Sequence, residues 1–294
     1  MKEVTSPVIV RDILSRYKLS CRKNLGQNFL IDSNIANKIV AAAELRPTDL
    51  VVEIGPGLGA LTARAAGSAG KVLAVEIDRG LLSALAETLE GVGDVKVIHG
   101  DALEIDFDNL VQERTGGKFG QGGERYKLLA NLPYYITSPL LLRLLLKRYN
   151  ISLMVVMVQL EVAARLAAAP GSKDYGALSV AAQYFTEAQI LFRVPGTVFF
   201  PQPEVSSAVV RLAVRPEPAV PARDEETFFK VVRAAFGRRR KTLLNSLAGS
   251  EFGIGKGVWK AVLESSGIAP ARRGETLSLA EFALITDNLL AMRG

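Results

Sequence analysis

The 294 residues contain one cysteine, Cys21, and one histidine, His99. A lone thiol excludes an internal disulfide, a cysteine-built zinc site and a dithiol redox pair. A lone imidazole argues against a histidine-built centre, so no metal is expected. Long apolar runs are also lacking. Stretches such as Met154–Val158 fall far short of the roughly 18 residues that cross a bilayer. The stretch Met1–Ser20 has no apolar core of a signal peptide. These absences point to the cytoplasm, without a membrane partner. Hydrophobic residues make up 49% and charged residues 22%, which excludes a mainly disordered, coiled-coil or collagen-like chain.

What the chain has is an excess of positive charge. Its formal net charge is +6. Lys230, Arg233, Arg238, Arg239, Arg240 and Lys241 follow one another with no acid between them. The first thirty residues hold six Lys/Arg against two Asp/Glu. A basic balance suits an anionic partner such as a nucleic acid, though a solvated helix face is the other reading of such a run.

Leu50–Ile54, Lys71–Glu76, Val95–His99, Tyr126–Ala130 and Ser152–Val158 are short Val/Ile/Leu runs without clean alternation. Strands covered on both faces of a parallel sheet read this way. Helical patterns lie between them, which predicts a doubly wound α/β domain. Gln189–Arg193 and Ser207–Val214 read as two later strands, the second as an antiparallel edge partner. Thr115–Arg125, with five glycines in eleven residues, predicts a mobile surface loop. Residues 215–223, with three prolines in nine, predict a linker. The expected division is therefore 1–214 and a small helical domain, 224–294.

The first strand runs into Glu53-Ile54-Gly55-Pro56-Gly57-Leu58-Gly59. Alternate glycines after a strand let the backbone bend and approach a ligand closely. The spacing is not the G-x-G-x-x-G that presents a helix N-terminus to a pyrophosphate. It better suits a ligand without phosphate, such as S-adenosylmethionine, with a purely structural glycine turn as the alternative. Glu76 ends the second strand and can accept both ribose hydroxyls of an adenosine. Asp101 follows the third and can accept the adenine amino group.

The fourth strand ends in Asn131-Leu132-Pro133-Tyr134, the most specific motif in the chain. The amine of adenine is a poor nucleophile because its lone pair is delocalised into the ring. The Asn131 side-chain oxygen and the Leu132 carbonyl can accept its two N–H bonds and favour a pyramidal nitrogen. Pro133 fixes φ and removes a donor, and Tyr134 can stack on an extruded base. A capped turn is the competing explanation.

With these motifs in place, the chain resembles the KsgA/RsmA family of rRNA adenine N6,N6-dimethyltransferases almost end to end. Gly26–Leu30, Glu53–Gly59, Glu76, Asp101 and Asn131–Tyr134 resemble the family's cofactor and catalytic motifs. Val158–Arg165, Phe199–Ser207, Phe236–Lys241 and Arg273–Ser278 resemble its later signatures. The resemblance implies a Rossmann-like class I methyltransferase fold, with a seven-stranded, mostly parallel sheet and a small all-helical C-terminal domain. It implies that Asn28, Leu30, Gly55, Gly57, Glu76, Asp101 and Asn131 contact S-adenosylmethionine. Phe199 would flank the target adenine opposite Tyr134, and Arg238, Arg239, Arg240 and Lys241 would grip RNA. The implied substrate is 16S rRNA in the small ribosomal subunit or its precursor, the enzyme acting as a monomer. Tyr135 stands where relatives often have Asn. Three other readings stay open: an erythromycin-resistance methyltransferase of large-subunit rRNA, whose motif usually has Ile where this chain has Leu132; a non-catalytic assembly or transcription factor; and a small-molecule methyltransferase.

Overall fold

The computed structural model describes residues 4–22, 25–238 and 240–292. The chain divides into two compact units, Met1–Ala163 with Glu187–Val214, and Ala164–Thr186 with Arg215–Gly294. The strands are β1 (Phe29–Leu30), β2 (Leu50–Ile54), β3 (Lys71–Glu76), β4 (Val95–His99), β5 (Tyr126–Asn131), β6 (Ile151–Gln159), β7 (Thr186–Val194), β8 (Phe199–Phe200) and β9 (Ser207–Val214).

Seven of them form one sheet in the order β4-β3-β2-β5-β6-β9-β7. The pairings β2/β3, β3/β4, β2/β5 and β5/β6 are parallel, and β6/β9 is antiparallel. β2, β3 and β6 are buried along almost their whole length, as unbroken aliphatic runs require when both sheet faces are covered. Strand order reverses beside β2, which lies between β3 and β5. In an open α/β sheet this is where ligands bind, outside the carboxyl ends of the strands. β9 is not the edge strand the sequence suggests. Ala208, Val209, Val210 and Leu212 are fully buried, so β9 sits inside and β7, with several exposed positions, takes the edge.

Helix Ser33–Ala42 shows why the layers hold. Asp32 caps it, accepting from Ile35 N–H at 2.9 Å. Ala36, Ile39 and Val40 recur at helical spacing and join the core with Val51, Leu129 and Val155 of the sheet. Burying one such Ile contributes roughly 1.5–3 kcal/mol. The Gly-rich stretch is not a free loop. Phe119 is buried, and Asn150 Nδ2 donates to the carbonyls of Gly120 (2.6 Å) and Gly123 (3.0 Å). Each glycine carbonyl thereby gains a fixed partner.

The second unit is helical: Ala177–Phe185, Glu225–Phe236, Leu243–Ala248, Lys256–Ser265 and Leu279–Ala291. Here the expected division at 214 and 224 needs correcting, because 164–186 groups with the C-terminal residues. The cause is aromatic packing. Tyr184 stands 4.8 Å from Phe228, and Phe185 stacks on Phe229 at 5.4 Å, centroid to centroid. Residues 215–223 are tied down as well, since Arg215 N–H donates to Phe185 O and Ala219 N–H to Tyr184 O. Phe228 is fully buried among these rings. Phe228→Ala should therefore lower stability by about 3–5 kcal/mol in denaturant unfolding. A loss within the surface range of about 0.5 kcal/mol would contradict this packing.

Candidate active site

A cleft opens at the carboxyl ends of β2, β3 and β5, measuring about 1000 Å³ with its open mouth included. Register puts the key positions side by side: Ile54 against Val75 and Ala130, and Glu76 against His99. His99 itself is exposed, with its Nε2 3.1 Å from Ile77 O.

The glycine loop turns through left-handed backbone, with φ of +69° at Gly55 and +61° at Gly57. Side chains rarely adopt such values. A Cβ on Gly57 would also come within 3.2 Å of the Phe29 ring. The turn aims the Gly57 N–H at Glu76 Oε2 (3.3 Å), while Asp78 N–H donates to Glu76 Oε1 at 2.8 Å. Burial pushes the Glu76 carboxyl up, and these two N–H groups pull it back down. Asp101 is held similarly, accepting from Leu103 N–H at 2.8 Å.

Asn131 ends β5. Its Nδ2 donates to the Asn28 carbonyl at 3.1 Å, since only a donor satisfies that oxygen. The amide oxygen faces the other way, as an acceptor. Leu132 is buried, its N–H bonded to Met157 O at 3.0 Å. The Pro133 carbonyl accepts from Thr137 Oγ1 at 2.8 Å, fixing the turn into helix Thr137–Leu146. Tyr134 has its hydroxyl 3.1 Å from Ser207 Oγ, which steadies the ring. Asn28 and Leu30 also border the cleft, although the Asn28 side chain turns back to donate to Gly26 O at 3.0 Å.

Thus Asn28, Leu30, Gly55, Gly57, Glu76, Asp101 and Asn131–Tyr134 converge on one cleft. Phe199 does not join them. It pairs with Leu30 across β1/β8, is 3% exposed and belongs to the core around Ile39 and Val155. Its ring packs in that core, behind the cleft-lining Leu30. Arg238, Arg240 and Lys241 are exposed in the second unit, and Arg238 Nη2 donates to Gly249 O at 3.1 Å. Arg239 lies outside the described residues.

Several lining residues were given no role of their own in the sequence reading, Ile77, Ala102 and Glu53 among them. Ile77 and Ala102 each follow a strand-end acid and give the cleft apolar walls. Glu53, inside the glycine motif, is 1% exposed, and its Oε2 has no hydrogen-bond partner. Among the described residues no cluster of His, Cys, Asp or Glu could hold a metal ion. No helix there is long and apolar enough to cross a membrane.

A mostly parallel seven-stranded sheet, with a glycine turn and acids at successive strand ends, defines a Rossmann-like, nucleoside-binding methyltransferase. The family model for ribosomal RNA adenine dimethylases matches residues 18–287. The chain belongs to that family. It is 69% identical over 291 residues to ribosomal RNA small subunit methyltransferase A of Pelotomaculum thermopropionicum, covering 99% of each chain. Among solved structures it resembles a dimethyladenosine transferase from Plasmodium falciparum, with TM-score 0.70 and 26% identity over 87% of this chain and 95% of that one. It also resembles the 23S rRNA methyltransferase ErmE, with TM-score 0.64 and 27% identity over 89% of this chain and 99% of that one. The protein is an S-adenosylmethionine-dependent methyltransferase. The site fits that cofactor: Glu76 offers an anchored ribose acceptor, Ile77 and Ala102 offer walls for a purine, and the glycine turn leaves open space.

Glu53 yields a pH prediction. Burial, with Glu76 nearby, pushes its carboxyl up to about 8, while Thr62 lies close enough to soften the shift. The folded state therefore holds this proton more tightly than the unfolded chain. That contribution to stability is full below the ordinary value of 4.5 and is lost as pH rises towards about 8. Glu53→Gln should lose less stability than the parent between those two values, measured as melting temperature against pH. Parallel curves for the two proteins would contradict the neutral buried acid.

Proposed function

We propose that the enzyme methylates N6 of two adjacent adenines, each twice, in a hairpin near the 3′ end of 16S rRNA. The substrate is the small ribosomal subunit or its precursor, which places the enzyme in the cytoplasm, acting as a monomer. One observation carries this reading. Asn131 is held by its nitrogen on the Asn28 carbonyl, so its oxygen is presented as an acceptor at the mouth of the cleft.

When bound, the cofactor supplies a methyl group on an already cationic sulfur. Glu76 and Asp101 hold its adenosine at the strand ends. In the first transfer the Asn131 oxygen and the Leu132 carbonyl accept the two N–H bonds of the target amine, which turns the nitrogen lone pair towards the methyl; one N–H is left for them to hold in the second. Tyr134, steadied by Ser207, offers a ring face to the extruded base, and the half-exposed Tyr135 beside it adds apolar surface. The name of the Pelotomaculum relative supports the small subunit as target, and Leu132 agrees with it. ErmE supports rRNA as the substrate class but acts on 23S rRNA by its name, so the modified nucleotide must be mapped.

Incubation of unmethylated small subunits with labelled S-adenosylmethionine, followed by nucleoside mapping, is the test. N6,N6-dimethyladenosine at two neighbouring positions of 16S rRNA is the expected product, and label only in 23S rRNA or in free adenosine would overturn the assignment. Asn131→Ala should reduce transfer by about 10²-fold or more while subunit binding persists. Near-normal dimethylation by that variant would defeat the acceptor mechanism.

Exposed basic residues of the second unit supply a separate test. Replacing Arg238, Arg240 and Lys241 together by Gln should flatten the salt dependence of subunit binding. The log–log slope should fall by roughly 0.9 for each duplex phosphate that is no longer neutralised. Cofactor affinity should hold. An unchanged slope would assign these cations to solvated surface.

A further inference from the structure

The segment that enters the cleft ahead of β1 is fastened at one side chain. Both ends of the Gln27 amide are used. Its Oε1 accepts from Arg22 N–H at 2.8 Å, and its Nε2 donates to Asp78 Oδ2 at 2.8 Å. Asp78 is itself only 3% exposed. Its other oxygen caps helix Arg79–Thr88, accepting from Gly80 N–H at 3.0 Å, and lies 3.4 Å from Arg22 Nη1. Its backbone N–H is the one that donates to Glu76 Oε1.

These contacts join into one path. Glu76 leads to Asp78 through a backbone N–H, and Asp78 leads to Gln27 through the side-chain amide. A planar peptide joins Gln27 to the Asn28 Cα, which bears the Asn28 carbonyl. That carbonyl receives Asn131 Nδ2. One end of the path is the ribose acceptor, and the other is the acceptor for the target amine. The hydrogen bonds along it, from Asp78 N–H to Glu76, from Gln27 Nε2 to Asp78 and from Asn131 Nδ2 to Asn28 O, join partly or fully buried groups, where a mismatch costs most.

We propose that Gln27 is a positioning residue: by bonding to Asp78 it sets the Asn28 carbonyl that orients Asn131, and so ties the cofactor pocket to the target-base acceptor. Gln27 touches the reacting atoms through neither of its own ends. It acts on Asn131 through Asn28, and on Glu76 through Asp78. The assignment of Asn131 as acceptor rests on the function proposed above, whereas the tie between Gln27 and Asp78 does not.

The chemistry allows a reciprocal exchange. Gln27→Glu alone sets two carboxylates against each other. Asp78→Asn alone sets an amide N–H₂ against the Gln27 N–H₂; rotating Gln27 to relieve it would face a second donor to the Arg22 N–H. In the double variant, Glu at 27 accepts from Asn at 78 and from Arg22 N–H, while the Asn oxygen still caps the helix. Charge and bond count are conserved.

The test is this cycle, read by calorimetry with S-adenosylmethionine and by the side-chain amide ¹⁵N–¹H signal of Asn131, assigned by its absence in Asn131→Ala. Each single variant should weaken cofactor binding about ten- to a hundredfold, as loss of a hydrogen bond to a charged group does. Each should also move the Asn131 amide signal. The double variant should restore both to near the parent values. A double variant no better than the worse single, or single variants that lower the melting temperature but leave both readouts unchanged, would overturn the proposal. Both readouts use the free enzyme. Failure of 16S rRNA methylation would therefore sink the proposed function and leave this result standing.

Discussion

Glu76 is a carboxylate at the end of β3 with only 5% of its surface exposed. Burying a charge is costly unless it is hydrogen-bonded, and the neighbouring structure meets that demand. One donor is the Gly57 N–H, which reaches Glu76 because the loop after β2 turns through left-handed backbone. The other is the Asp78 N–H, where the chain turns into helix Arg79–Thr88. The glycine turn, the helix cap and the segment ending in Asn28 are thus arranged around one acid. The donors leave it poised to accept ribose hydroxyls.

Parallel pairing then carries this geometry to the reaction centre. β2 lies between β3 and β5, so their carboxyl ends open on one cleft. Asn131, the last residue of β5, comes within 3.1 Å of Asn28 although 103 positions separate them in sequence. A single preorganised acceptor of this kind is worth about 2.7–4 kcal/mol of transition-state stabilisation when it faces developing charge. Under the proposed function this role asks for no metal, because the methyl sits on a sulfonium that departs as a neutral thioether.

Much of this was legible in the residues. The aliphatic runs that became β2, β3 and β5 stand almost where their Val/Leu/Ile content puts them, because a strand buried on both faces has no other composition open to it, and the run that became β4 took the sheet's edge. Gly55, Glu76, Asp101 and Asn131 were legible because each sits at a strand end, where spacing alone predicts convergence. The core packing of Phe199 was not, since a motif does not say which side of a two-residue strand faces the core. Glu53 was hidden inside a glycine pattern that draws attention to backbone rather than side chain. Helix Ala177–Phe185 was missed because it is buried on nearly every side and lacks an amphipathic stripe. Its aromatic contacts with Phe228 and Phe229, distant in sequence, decide which unit it joins. Gln27 reads as one polar residue in a motif, and only the fold brings Asp78 to it.

A crystal structure with S-adenosylhomocysteine tests the central claim most directly. The account places both ribose hydroxyls on the Glu76 carboxylate, the adenine between Ile77 and Ala102 with its amino group on Asp101, and the Asn131 oxygen turned to the open mouth with its nitrogen still on Asn28. A nucleoside bound away from Glu76, or an Asn131 amide reversed so that its oxygen meets the Asn28 carbonyl, would contradict it.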